Sequence, residues 1–178
     1  MIYSKLGFHI VKLFCQDHFE GGEFECDESY FGPGRVRGKR GRGAVGKTPV
    51  FGVLKRGGKV YVQIVQSWSK SELIPIIEGK ILEGSRIHTD GWRAYEGLIL
   101  NGYDHYRVYH SQDEFSRGKC HIKGLESFCS FAKRRVGKFN GVIGCSFYLH
   151  LKETEFRFND RHQNIYRLLR GKLQEQPL

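Results

Sequence analysis

Three acids, Asp27, Asp90 and Glu126, stand where chemistry could be done. Each falls at the end or edge of an expected element: Asp27 on a strand, Asp90 closing another, Glu126 in the first turn of a helix. Two aspartates and a glutamate suit hard divalent cations such as Mg²⁺, which take oxygen ligands and keep several waters. Two such ions about 4 Å apart can activate a water or hydroxyl and stabilise the leaving oxygen in phosphoryl transfer. Taken singly, each acid also has a structural reading. Asp27 fits a surface strand acid, Asp90 a helix N-cap, and Glu126 a partner for a helix dipole.

The charge distribution weighs toward a shared site. The net charge is +10, from 29 Lys or Arg against 19 Asp or Glu. Between Ser29 and Ser71 there are ten cations and no acid: Arg35, Arg37, Lys39, Arg40, Arg42, Lys47, Lys55, Arg56, Lys59 and Lys70. Outside that window 19 cations face 19 acids, so the whole excess sits in one segment. Such concentration points to a polyanion partner. The Gly-Arg stretch at its start, GPGRVRGKRGRG, reads as a flexible arm that grips phosphates.

The elements that position the acids follow from periodicity. Residues 23–30, EFECDESY, place Glu23, Glu25 and Asp27 on one face and Phe24 and Cys26 on the other. That predicts a strand with one buried face, with Asp27 away from the core and Glu28 turned the opposite way, outside the expected site. PVFGVLK and KVYVQIVQ, divided at Arg56-Gly57-Gly58, predict a β-hairpin. The first three strands are therefore expected to be antiparallel neighbours. Ser69 and Glu72 offer a capping box for a helix over Leu73 to Leu82. Strands are expected at 85–89 and 105–110, with a helix from Trp92 to Leu100 between them. Leu125, Phe128, Cys129 and Ala132 share one face of a helix over Leu125 to Arg135. Phe147 to Leu169 is expected to be mostly helical, stopping at Gly171. The order is that of a mixed α/β domain.

Bulk composition bounds the rest. With 178 residues and 39% hydrophobic content, the chain fits one globular domain rather than a disordered segment. No apolar run is long enough for a membrane span, and the N-terminus does not read as a signal peptide. Cys15, Cys26, Cys120, Cys129 and Cys145 contain no C-x-x-C pair, which points to reduced thiols and a cytoplasmic setting. A zinc site from Cys120, His121, Cys129 and Cys145 matches no usual ligand spacing.

Several segments in order resemble the DDE transposases of compact bacterial insertion sequences, nearest to the ISXO-like branch. They are DESYFG (27–32), RVRGKRGRGAVGKTPVFGVLKRGGKV (35–60), TDGWRAY (89–95), NGYDHYRVYH (101–110) and ESFCSFAKRR (126–135). The resemblance spans about residues 20–160. The 35 residues between Asp90 and Glu126 equal the interval many such enzymes share between their last two acids. It implies an RNase H-like fold, a mixed five-stranded sheet flanked by helices. Residues 21–160 would be the catalytic domain, 1–20 a remnant or linker, and 161–178 a helical tail. It implies that Asp27 bridges two Mg²⁺ ions, replaceable by Mn²⁺, and that Asp90 and Glu126 each complete one. The reaction implied is hydrolysis at a transposon end, then attack of the freed 3′-hydroxyl on target DNA. DNA contacts are expected from Arg35, Arg37, Lys39, Arg40, Arg42, Lys47, Lys123, Lys133, Arg134 and Arg135. A two-ended reaction implies at least a dimer.

Two positions depart from the family pattern in HIKGLESFC (121–129). Lys123 stands where relatives often carry an Asn, which in some branches serves as the third catalytic position. Cys129 stands where they carry a large aromatic. The alternative to an active enzyme is a truncated or inactive copy that only binds DNA. His88, His110 and His121 lie near the acids in sequence, as surface or packing residues or as positioners of a water or phosphate. Trp92 and Tyr95 fit either core anchors or a stacking platform for a flipped base. Tyr30 and Phe31 are expected to pack where the strand leaves the sheet.

Overall fold

A computed structural model describes residues 2–14, 18–32, 47–90, 95, 97–108, 121–139 and 145–177. Strand β1 (Glu23–Phe31) is followed by β2 (Thr48–Lys55), β3 (Val60–Ile64), helix α2 (Lys70–Lys80), β4 (Arg86–Asp90) and β5 (Asp104–Val108). Helices α3 (Lys123–Val136), α4 (Cys145–Asn159) and α5 (Ile165–Glu175) complete the chain, and α1 (Ile2–Phe14) precedes it.

The five strands form one sheet in the order β3-β2-β1-β4-β5. The hairpin pairs β1 with β2 and β2 with β3 antiparallel, as expected. After the α2 crossover, β4 lies parallel to β1 and β5 parallel to β4. This is the RNase H-like arrangement, with β1 at its centre.

Helices cover both faces of β1. On one side Phe24, Cys26, Phe51, Val53 and Ile87 pack under Leu73 and Ile77 of α2. On the other, Phe31, Val50, Leu54 and Val62 pack under Leu125, Phe128 and Ala132 of α3 and Phe147 and Leu151 of α4. The expectation of one solvent face on β1 is thus corrected: Glu25 is only 1% exposed. The alternation itself is real, but a central strand is covered on both sides, and its acids must find partners there.

Several boundaries also differ from expectation. The capping box before α2 does not form, because Ser69 makes no side-chain cap. Glu72 instead accepts from the Gln66 and Ser67 amides at 2.6 and 2.7 Å, tying down the preceding loop. Between β4 and β5, Tyr95 and Leu98 are fully buried anchors, but Ile99 is exposed and begins a 3-10 turn, Ile99–Asn101. Trp92 of the expected helix lies outside the described residues. The C-terminal helix is two: α5 restarts with Asn164 accepting from the Arg167 amide at 3.1 Å. It runs through Gly171, where nothing within 4 Å crowds a side-chain position and φ is not positive. Residues assigned no element by sequence form α1, which closes on α4 at Gly7, where a Cβ would meet Leu149 at 3.3 Å. No described helix is long and apolar enough to cross a membrane.

Candidate active site

The parallel ladder between β1 and β4 pairs Glu23 with Arg86, Glu25 with His88 and, last, Cys26 with Thr89. Asp27 and Asp90 are the next residues on each strand, so they stand side by side where the pairing stops. Beyond that point β1 continues beside β2 with no β4 neighbour, which leaves a cleft at the ladder's end. Crevices at the carboxyl ends of parallel strands are where sheets of this kind place ligands.

Asp27, Glu28 and Asp90 meet there. Each is half-buried, and one carboxylate oxygen of each lies within 4.8 Å of the others. Strand alternation sets Glu28 outside the expected site, yet its carboxylate joins the group. The ladder's end allows its longer side chain to reach round. The Tyr95 hydroxyl donates to Glu28 Oε1, and the Glu28 amide donates to Asp27 Oδ1 at 2.8 Å. Tyr95 is thus a core anchor whose polar end serves the cleft. Burial, followed by the Glu28 charge, raises its phenol well above the usual range and keeps it a donor.

The end of β4 is held from its other side. The Thr89 hydroxyl donates to the Asp90 carbonyl at 2.7 Å. Its proton being used there, the 2.8 Å contact with His105 Nε2 has the imidazole as donor. Burial, with Arg107 adding to it, lowers His105 to about 4, so the ring is neutral at pH 7.

Glu126 takes a different place. It lies in the first turn of α3, exposed and outside the group of three. The helix nevertheless sits against the sheet at Asp27. Gly52 pairs with Asp27 across β1 and β2, and a Cβ on it would be 2.9 Å from Leu125 Cδ1. Cys129, on the buried face of α3, has its thiol pushed up to about 11, mainly by burial and then by the Asp27 charge, with a smaller contribution from Glu126. Both acids therefore act electrostatically on one side chain.

The expected DNA contacts divide by position. Arg35, Arg37, Lys39, Arg40 and Arg42 lie outside the described residues. Lys47 precedes β2, half-buried, and Lys123 opens α3, exposed. Lys133 lies over the Phe31 ring at 5.6 Å, and Arg134 is exposed. Arg135 donates to Glu153 Oε1 at 2.8 Å, so α4 shares its charge. His88 is buried and lowered to about 4, first by burial and then by Arg56, while His121 lies at the entry to α3. His110, Cys15 and Cys120 lie outside the described residues. Tyr30 packs edge-on against Trp68 and accepts its indole N–H at 2.7 Å, and Phe31 packs on Phe147.

Several known proteins are similar to this chain. An uncharacterised transposase-like protein of Haemophilus influenzae is 38% identical over 102 residues, 57% of this chain and 82% of that one. An uncharacterised protein in transposable element ISH50 of Halobacterium salinarum is 32% identical over 156 residues, 79% of this chain. The match spans about half (53%) of that relative's length. Among solved structures, the catalytic core domain of BIV integrase is similar with a TM-score of 0.48 at 12% identity, over 88% of this chain and 98% of that one. A chain of the simian T-cell lymphotropic virus intasome, solved with PP2A regulatory subunit B56 gamma, gives 0.49 at 11% identity over 84% of this chain and 51% of that one. Residues 20–159, which hold all five strands and the cleft acids, match the ISXO2-like transposase domain, and the chain belongs to that family.

Proposed function

We propose that this chain cuts DNA strands at the ends of a mobile element and joins them to target DNA, with Mg²⁺ or Mn²⁺ held by its cleft acids. One observation carries the reading: Asp27 and Asp90 converge with Glu28 at the end of the β1–β4 ladder, with ligand oxygens within 4.8 Å of one another. The donor set fits a hard divalent cation, being all carboxylate and partly open to solvent. Asp27 and Asp90 are the ligands proposed, with Glu126 as the third acid approaching from α3. Bound there, the metal supplies charge stabilisation to the attacking and leaving oxygens of phosphoryl transfer.

The chain's own residues do the rest. Tyr95 fixes Glu28, and Thr89 with neutral His105 fixes the end of β4. Lys123 and Arg134 on α3, with the cations of residues 35–47, bring a phosphate backbone to the cleft, and pairing of two element ends requires at least a dimer.

The test is metal-dependent nicking of a duplex carrying the element's terminal sequence. Asp27→Asn and Asp90→Asn are expected to abolish it while leaving the far-UV circular dichroism intact. If both variants nick as well as the parent, the assignment is wrong. Glu126→Gln and Glu28→Gln, compared in the same assay, decide which acid is the third. A second reading, DNA binding without cleavage, is favoured by Lys123 at the start of α3 and by the exposed place of Glu126 outside the acid group. It is upheld if the parent binds end DNA with a steep salt dependence and never nicks.

A further inference from the structure

We infer that Glu25 and Arg56 form a latch that seats the first turn of α3 beside the cleft acids, which makes both of them positioning residues for strand cleavage. The inference rests on the functional reading above.

The start of α3 lacks a cap of its own, since Ile122 at its N-cap position offers no side-chain acceptor. The orphan amides of a first turn need partners. Glu25 supplies one from the central strand: its Oε2 accepts from the Leu125 amide at 2.8 Å. Its other oxygen, Oε1, accepts from Arg56 Nε at 3.1 Å. The same guanidinium donates to Glu23 Oε2 at 2.9 Å and to the carbonyl of His121, just before α3 begins. Arg56 thus holds the helix entry from the hairpin turn while Glu25 holds it from below. The Arg56 backbone is itself fixed, its amide donating to the Glu23 carbonyl at 2.9 Å.

The seat is tight. A Cβ on Gly124 would lie 2.6 Å from Leu54 Cδ2 and 3.0 Å from Glu25 Oε2, so the first turn rests directly on the carboxylate. Glu25 precedes Asp27 by two residues on the same strand face, and Leu125 precedes Glu126 by one. One short chain of bonds therefore sets the spacing between the acid on β1 and the acid on α3. It also reassigns Arg56. By sequence it is one of ten cations in the basic window, but three of its five N–H donors go to two carboxylates and a carbonyl within the fold.

The experiment compares Glu25→Ala, Glu25→Gln and Arg56→Lys with the parent. It measures end-DNA affinity, the single-turnover nicking rate with Mn²⁺, and hydrogen exchange of the Leu125 and Glu126 amides. Glu25→Ala is expected to exchange those amides at least about tenfold faster. It should lose about a hundredfold in nicking rate while binding end DNA within about twofold of the parent. Glu25→Gln keeps an acceptor oxygen and is expected to restore most of the protection and most of the rate. Arg56→Lys keeps the charge but not the fork, and is expected to fall between; it carries the comparison if Glu25→Ala does not fold. The latch is overturned if exchange in the alanine variant, or in Arg56→Lys where it stands in, matches the parent. It is equally overturned if exchange rises while nicking is unchanged, or if Glu25→Gln loses nicking with its amides still protected. A parent that never nicks defeats the functional reading instead, and the exchange comparison alone then decides the latch.

Discussion

Gly52→Ala probes whether the sheet and α3 meet as closely as the cleft requires. Gly52 lies opposite Asp27 in the β1–β2 pairing, and an added Cβ would sit 2.9 Å from Leu125 Cδ1, 3.4 Å from Cδ2 and 3.5 Å from Cγ. Comfortable carbon contacts lie at about 3.5–4.0 Å, so the leucine must retreat by roughly half an ångström or more. A surface leucine would rotate away, but Leu125 is fully buried and its amide is bonded to Glu25. The expected cost is overpacking, about 1–3 kcal/mol. Leu125→Ala alone should cost about 2–5 kcal/mol through the cavity it leaves. In the double variant the new methyl enters that cavity, so the two losses should fall short of additive by about 1–2 kcal/mol. Urea unfolding of the four proteins, followed by circular dichroism, measures the coupling provided the m-values agree. The close seat is refuted if Gly52→Ala lies within about 0.5 kcal/mol of the parent or if the two changes simply add.

Three further outcomes follow from other parts of the molecule. His88 is lowered to about 4 by burial and by Arg56, so the folded state keeps it neutral while the unfolded chain takes up a proton below about 6.5. Its contribution is complete above pH 6.5 and is lost as the pH falls toward 4, by up to about 3 kcal/mol; His88→Gln should flatten the urea-derived stability profile across that window, and an unchanged slope would refute it. On the edge strand β3, Glu155 accepts from the Val62 amide at 2.9 Å and from Lys152 at 2.8 Å, while Asn159 bonds both the amide and carbonyl of Val60. Removing Glu155 leaves the buried Lys152 ammonium without that carboxylate and reopens a strand edge. Glu155→Ala should cost about 3–5 kcal/mol and raise light scattering on mild heating. In α3, Lys133→Ala or Arg134→Ala should each reduce the salt slope of DNA binding by about 1. Arg135→Ala should reduce it less, because Glu153 already engages that guanidinium.

Which parts of this were legible in the sequence follows from how local each signal is. The hairpin and the buried stripe of α3, Leu125 with Phe128, Cys129 and Ala132, are written in short-range periodicity, and the structure reproduces them. The motifs of residues 27–32 and 89–95 carried Asp27 and Asp90, which the sheet brings together by ladder register. Illegible was anything set by what lies above a strand. EFECDESY reads as half-solvated because charges occupy alternate positions. The partner that lets Glu25 lie buried under α3 is Arg56, 31 residues further on, while the more exposed Glu23 is held by Arg56 and by Arg86, 63 residues on. Glu28 was missed for a related reason. Alternation assigns a side chain to a face, but the faces stay separate only while strands continue on both sides. The β1–β4 ladder ends at Cys26, one residue before Asp27 and two before Glu28, so the acids of DES meet at an open end. An acidic pair just past the end of a parallel ladder, on a central strand still paired on its other side, is therefore better read as one cluster than as two faces.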